Sequence, residues 1–171
     1  MSKFMEIEAD TFDVSPFRMI GKEWMLIAAE KEEKVNALTA SWGGLGFMWN
    51  RNAAYIFVRE SRYTKEFIDE SSTFSLNFFD HKKHAKMLSY MGTVSGRNED
   101  KIAKAELTVN HAEGVPYFEE ASVVMVCKKM CSQPVRPENF NMEEIDRMYY
   151  GDKDYHTMYI GEVVSILKKE D

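Results

Sequence analysis

The succession of apolar runs between Trp24 and Phe79 is the strongest constraint on what this chain can fold into. Trp24–Ala29 is a compact apolar run bounded by Gly21 and by the charged cluster Glu30–Lys34. A second run opens at Val35, a third covers Ala54–Val58 and a fourth covers Thr73–Phe79. Each has the length of a strand, and the first two are separated only by the charged turn, the pattern of a hairpin in an antiparallel sheet. Alternation in the fourth puts Phe74, Leu76 and Phe78 on one face and Ser75, Asn77 and Phe79 on the other. Further strand candidates are Glu106–His111, Pro116–Phe118 after a Gly-Val turn, Ala121–Val126 continuing through Cys131, and Asp154–Val164.

Helical segments are few and short. Thr64–Ser71 carries Phe67 and Ile68 inward and places Glu66, Asp69 and Glu70 outward, with acids early where the helix dipole favours them. His81–Met91 has Ala85, Leu88 and Met91 along one stripe and Gly92 as its stop. A short helix ends at Ala105, and Met142–Tyr150 gathers Met142, Ile145, Met148 and Tyr149 on one side, with Glu143 and Glu144 solvated. Residues 1–15 read as an extended lead-in and Ser15-Pro16 as a turn. Strands that do not alternate with helices as βαβ units predict a mainly β fold, an antiparallel barrel with a few short helices. No linker, repeat or low-complexity stretch divides the 171 residues, so a single domain over 1–171 is expected. Gly43-Gly44-Leu45-Gly46 is not a dinucleotide fingerprint, because the spacing is wrong and Trp49-Asn50-Arg51-Asn52 reads as a turn. Those glycines let the backbone approach a flat ligand or mark a strand bend.

A formal net charge of −6 argues against nucleic acid or an anionic membrane as a partner. The N-terminal residues lack the apolar core of a signal peptide and no run approaches a membrane span, so a cytoplasmic protein is expected. Cys127 and Cys131 lie four residues apart on one predicted strand, facing the same way but too distant to bridge, and suit a reducing compartment as free thiols. His81 and His84 sit one helical turn apart with no carboxylate or cysteine at matching spacing. Neither pair makes a metal site.

Two stretches carry the chemistry. Asn36-Ala37-Leu38-Thr39-Ala40-Ser41-Trp42-Gly43-Gly44 sets hydroxyls and an indole beside a glycine pair where a strand leaves the core. Ser61, Arg62, Thr64 and Lys65 fall within five residues at a strand-to-helix junction. Hydroxyls, a guanidinium, an ammonium and the free N–H groups of a helix start are what a phosphate monoester needs. The same residues also read as a capped helix, with Thr64 or Ser61 as N-cap and the two cations solvated. Ser95-Gly96-Arg97-Asn98-Glu99-Asp100-Lys101 is a polar loop in which Gly96 permits an unusual backbone angle. There is no nucleophile elbow with a Ser-His-Asp order and no HExxH.

Asn-Ala-Leu-Thr-Ala-Ser-Trp at 36–42, Arg-x-x-Arg-Tyr-Thr-Lys-x-x-Ile at 59–68, Ser-Gly-Arg-x-x-Asp-Lys at 95–101 and His-x-x-x-x-Gly-Glu-Val at 156–163 follow one another in order. Through them the chain resembles, from Pro16 to Lys168, the flavin reductase-like family of FMN-binding split barrels. The resemblance implies an antiparallel split β-barrel, FMN as cofactor, NADH or NADPH as electron donor, a homodimer, and a small-molecule or protein electron acceptor. It implies that Ser61, Arg62, Thr64 and Lys65 hold the FMN phosphate and that Thr39, Ala40, Ser41 and Trp42 line the isoalloxazine edge. Asn77 would bond the ribityl chain. Ser95, Gly96, Arg97 and Lys101 would close over the flavin, with Arg97 and Lys101 reaching its phosphate or ribityl chain from the same or from a neighbouring subunit. His156 would stand beside the nicotinamide or the acceptor, where residue-level reasoning sees a strand-end histidine in a satisfied hydrogen bond. A cofactor that carries the redox chemistry needs no protein nucleophile or tuned base, which suits this sequence. The implied activity is NAD(P)H-dependent flavin reduction. The alternative is a non-catalytic FMN-binding electron carrier or flavin store. A third is a related split barrel holding haem or a pyridoxal-type phosphate; the Arg62/Thr64 cradle argues against haem. The 12 methionines and 13% aromatic residues suit either an apolar interface or a core.

Overall fold

The computed structural model describes residues 3–170. Its strands are β1 (Phe4–Ile7), β2 (Met25–Lys31), β3 (Lys34–Ala40), β4 (Gly43–Met48), β5 (Arg51–Arg59), β6 (Thr73–Phe78), β7 (Val109–Ala112), β8 (Val115–Phe118), β9 (Val123–Pro134) and β10 (His156–Lys169). The helices are α1 (Pro16–Gly21), α2 (Tyr63–Glu70), α3 (His81–Thr93), α4 (Lys101–Lys104) and α5 (Glu143–Tyr149), with single 3-10 turns at Ala9–Thr11 and Pro137–Asn139.

The main sheet runs β3-β2-β6-β9-β10-β5-β4, with β1 added to β10, and its recorded pairings are antiparallel. Its two ends, β3 and β4, follow each other in the chain through Ser41 and Trp42 but do not pair. The barrel is split between them. Both flanking hairpins close on two residues in the left-handed region, Glu32-Glu33 and Trp49-Asn50, as the right-handed twist of the paired strands favours. The short turn Glu32-Glu33 fits between strands because flanking Lys31 and Lys34 already pair.

Alternation along the strands sorts the core into two layers. Met25, Ile27 and Ala29, with Ile56, Val58, Phe74, Leu76, Phe78, Met125, Cys127 and Tyr159, fill the barrel interior, closed by α1 and by Phe67 and Ile68 of α2. Leu26, Ala28, Val124 and Val126 point the other way and are covered by Leu88 and Met91 of α3 and by the β7–β8 hairpin. The expected Phe74/Leu76/Phe78 face therefore forms, but the opposite face of β6 is equally dry, since Ser75 and Asn77 are fully buried beneath β8.

Several local expectations are corrected. Ser15-Pro16 starts α1 instead of marking a turn, because proline at the first helical position loses only an N–H that has no intrahelical partner. The N-cap of α2 is Arg62, with extended backbone and no side-chain cap, instead of Thr64 or Ser61. Gly92 lies within α3, which runs to Thr93 and is capped by Val94. Met130 forms a bulge against β10, so Cys127 pairs with Val163 and Cys131 with Ile160. That extra residue reverses the alternation: Cys127 is buried in the barrel and Cys131 no longer shares its face. Helix α5 buries none of its residues, and Met142, Met148 and Tyr149 are 55%, 67% and 45% exposed.

Candidate functional site

The split leaves a groove of about 260 Å³ lined by Leu38–Trp42 from the end of β3, Phe57–Arg59 from β5, Arg62 and His156. A second cavity of about 210 Å³ continues from Arg62 over Ser61–Thr64, the end of α3 and its exit (Thr93–Gly96), and Lys101. Arg62 lines both. The connection is local in origin: β3 ends at the split, β5 leads through a short turn into α2, and α3 ends at the second cavity.

Arg62 and Lys101 define the chemistry of the second cavity. The Arg62 guanidinium donates from Nη1 to the Gly92 carbonyl at 2.7 Å, while its Nη2 is buried without a partner among the described residues. Lys101 is 3% exposed and donates Nζ to the Met91 and Val94 carbonyls, each at 3.0 Å. Burial, reinforced by the Arg62 charge, brings the Lys101 ammonium down to about 8. Burial likewise lowers Arg62. Two desolvated cations beside each other, one with an idle donor, are costly unless an anion completes them. A tetrahedral oxyanion has the acceptors to do so.

The other predicted phosphate contacts divide. Thr64, 1% exposed, lines the cavity with Ser61. Ser61, however, gives both its backbone N–H (3.0 Å) and its hydroxyl (2.5 Å) to the Asp154 carboxylate. Lys65 is not brought to the cavity: its ammonium pairs with Glu60 at 3.3 Å and Asp69 at 2.8 Å and lies over the Tyr159 ring. Asp69 also accepts from the Tyr159 hydroxyl, so this cluster fastens α2 to β10.

In the loop after α3, Ser95 and Gly96 line the cavity. Gly96 is needed for close approach instead of for an unusual angle, since a Cβ there would fall 2.6 Å from Asn36 Oδ1. Arg97 is turned aside, paired with Glu66 and stacked 4.6 Å over Tyr63. Lys101 lines the same cavity as Arg62 of its own chain. Asn77 is also corrected. Its strand position faces the outer layer, where it donates to the Leu26 carbonyl and Ser75 and accepts from the Phe118 N–H at 3.0 Å. It joins β2, β6 and β8 and does not reach the groove.

Thr39, Ala40, Ser41 and Trp42 do line the groove, but the Thr39 hydroxyl is spent on the Leu88 carbonyl of α3 at 2.5 Å. Trp42, 44% exposed, meets Tyr149 edge-on at 5.3 Å and His156 at 5.3 Å. Behind it Gly43 leaves room that a Cβ, 2.6 Å from the Tyr55 carbonyl, would take. His156 is buried, its Nδ1 2.7 Å from the Tyr150 hydroxyl, and burial together with Arg59 takes its pKa down to about 4. The expected satisfied hydrogen bond is present on one side of His156, and on the other the ring lines the groove. Arg59 lines the groove and Tyr150 backs His156, and pattern reasoning missed both. Arg59 donates to the Asp154 and Tyr149 carbonyls at 2.7 and 2.9 Å and so draws the 149–154 segment against the groove. The first Arg of the Arg-x-x-Arg spacing was their only sequence signal.

His81 donates Nδ1–H to the Glu23 carbonyl at 2.9 Å, and His84 packs on Phe79. Among the described residues no group of His, Cys, Asp and Glu is placed to hold a metal, and no helix is long and apolar enough to cross a membrane.

A profile of the flavin reductase like domain matches residues 17–171. The chain belongs to the flavin reductase-like family. The match spans nearly the whole chain and agrees with the split barrel described above. Among solved structures it is similar to an FMN-binding domain of a flavin reductases-like enzyme from Shewanella baltica OS155, at 16% identity and TM-score 0.70, covering 98% of this chain and 78% of that one. It is similar to the flavoredoxin of Methanosarcina acetivorans at 21% identity and TM-score 0.66, covering 99% and 77%. The styrene monooxygenase flavin reductase of Pseudomonas putida S12 aligns at 13% identity and TM-score 0.61, over 84% and 78%. At these identities the likeness is one of fold. Comparison with curated proteins finds no match.

Proposed function

We propose that this chain binds FMN across the two joined cavities and uses NADH or NADPH to reduce it, passing the electrons to a small-molecule or protein acceptor. The observation that carries the reading is the buried Arg62–Lys101 pair with its unpartnered Nη2, placed at one end of a groove that a planar ring can enter beside Trp42. The residues fit the cofactor: Arg62, Lys101 and Thr64 would hold the phosphate, and the Thr39–Trp42 backbone would flank the isoalloxazine. FMN, when bound, supplies the hydride-accepting centre, and the chain supplies position and field. Arg62 and Lys101 neutralise the phosphate, and Trp42 and Tyr149 shelter one edge of the groove from water.

The reading includes a homodimer in a cytoplasmic, reducing setting. The edge strand β4 and neighbouring α1 expose Phe17 (89%), Phe47 (64%) and Trp49 (51%), an apolar concentration that a second copy would cover. Free Cys127 and Cys131 suit a compartment that keeps thiols reduced.

The test is the visible spectrum of the purified protein, reconstituted with FMN and then mixed anaerobically with NADH and with NADPH. A flavin spectrum that bleaches supports the reductase. One that persists with both donors refutes nicotinamide dependence and favours the electron carrier. No retained flavin refutes the FMN site.

A further inference from the structure

We propose that Tyr150 fixes the tautomer of His156, so that this histidine presents a neutral Nε2–H to the groove as a donor for a carbonyl oxygen of the ligand entering beside Trp42. The ligand's identity rests on the reading above, where it is the nicotinamide of the electron donor and the oxygen is that of its carboxamide. The tautomer rests on the chain alone.

The argument is one of hydrogen-bond accounting. His156 Nδ1 and Tyr150 Oη are 2.7 Å apart, and a single proton lies between them. Tyr150 is 6% exposed and makes no other side-chain hydrogen bond among the described residues. Were the proton carried by Nδ1, the phenol oxygen would accept it and its own O–H would be buried without an acceptor. Buried polar groups in folded chains are rarely left in that state, because the desolvation cost then goes uncompensated. A phenol that donates satisfies both groups. An Nδ1 that accepts leaves the proton of the neutral ring on Nε2.

The surroundings hold this arrangement. Burial and the Arg59 guanidinium keep the ring neutral, outweighing the opposite pull of Asp154. Burial also raises Tyr150, against the opposing effect of Arg59, so the phenol keeps its proton. The phenol ring is clamped between fixed neighbours. Tyr155 stacks on it at 4.9 Å, Arg59 lies 5.1 Å over it, and the Tyr155 hydroxyl is itself tied to Asp146 at 2.6 Å. His156 Nε2 makes no hydrogen bond among the described residues, while the ring lines the groove 5.3 Å from the Trp42 ring. A neutral N–H donor beside an indole selects a flat ligand that offers an uncharged oxygen acceptor at its edge. An amide carbonyl on an aromatic ring has that form. Tyr150 acts only through His156 and is a positioning residue.

Imidazole nitrogen NMR on the 15N-histidine-labelled protein at pH 7 tests the tautomer directly, with His156→Gln assigning the signal. Protonated Nε2 and unprotonated Nδ1 are expected in the native chain. Tyr150→Phe keeps the ring stack but removes the donor, and a mixture of tautomers is expected. A native Nδ1–H tautomer, an imidazolium, or a Tyr150→Phe spectrum identical to the native one overturns the proposal. The ligand contact is tested by comparing NADH with its thiocarboxamide analogue, whose sulfur is a poor acceptor. The native protein is expected to show a KM about five- to tenfold lower for NADH, the value of one modest hydrogen bond. Tyr150→Phe is expected to lose that preference. Equal KM values for the two donors in the native protein overturn the carbonyl contact. If neither donor is oxidised while the NMR signal shows Nε2–H, the reductase reading and the nicotinamide contact fall together and the tautomer stands.

Discussion

Replacing Arg62 with alanine should weaken FMN far more than riboflavin, and the structure sets the size of the difference. One end of the guanidinium is committed to the Gly92 carbonyl at 2.7 Å, and Nη2 alone is idle and buried. The interaction at stake is therefore one charge-assisted hydrogen bond to a phosphate oxygen, worth about 1.5–3 kcal/mol. That corresponds to roughly a 10- to 150-fold rise in Kd. Arg62→Ala also releases the end of α3, on which the Thr39 hydroxyl depends, so some loss at the ring end is expected as well. Riboflavin shares the ring and ribityl chain but lacks the phosphate, and it reports that second effect by itself. Quenching of flavin fluorescence on titration gives both constants on one preparation. The FMN-to-riboflavin ratio should collapse by the stated factor. A ratio that stays constant, whether both ligands weaken or neither does, refutes the placement of phosphate at Arg62.

Four further outcomes follow from the same geometry. Lys101, held at about 8 in the free protein against an ordinary 10.5, loses its charge as pH rises, so FMN affinity should fall between about pH 8 and 10 while riboflavin affinity does not. Because its folded pKa is the lower one, the unfolded chain binds more protons across that window, and Lys101's own contribution to ligand-free stability rises from pH 8 to 10.5. Urea titrations of the native protein and of Lys101→Met should differ in that slope, and equal slopes would remove the assignment. Lys65→Met should cost about 1 kcal/mol in urea unfolding through its lost pairs with Glu60 and Asp69 and leave the FMN-to-riboflavin ratio intact. A selective loss of FMN would return Lys65 to the phosphate. Asn77→Ala strands the buried Phe118 N–H and should cost about 2–4 kcal/mol, again with unchanged flavin affinity in the folded protein. A loss below 1 kcal/mol would show that the β2–β6–β8 junction does not depend on it.

How much could be read in advance depended on whether a property was periodic or assembled. The hairpin at Glu32-Glu33, the two faces of β6, the inward Phe67 and Ile68, and the mainly β class all follow from a local repeat and a local turn. Such signals survive folding because each strand or helix must bury its own apolar face wherever it docks. The Thr39–Trp42 and Ser61–Thr64 stretches were legible as a pair because residue types suited to one ligand were concentrated there, and the fold joins them through Arg62.

The sequence by itself determined most of the strands, though not β1 or β4, together with the antiparallel class, the family and the two stretches that meet at the groove. Only the tertiary structure decided which cations face an anion. Lys65 and Arg97 have the right charge and nearly the right position, but Lys65 is neutralised by its sequence neighbours Glu60 and Asp69, and Arg97 by Glu66 of α2, 31 residues away. Arg62 and Lys101 are far apart in sequence and come together out of water, with one donor unmatched. The layer that covers Asn77, the bulge that separates Cys127 from Cys131, and the phenol behind His156 were likewise invisible. The physical reason is that charge pairing, desolvation and hydrogen-bond satisfaction depend on which groups the fold brings together, whether 41 residues apart, as Asn77 and Phe118, or six, as Tyr150 and His156, and no local pattern selects among them.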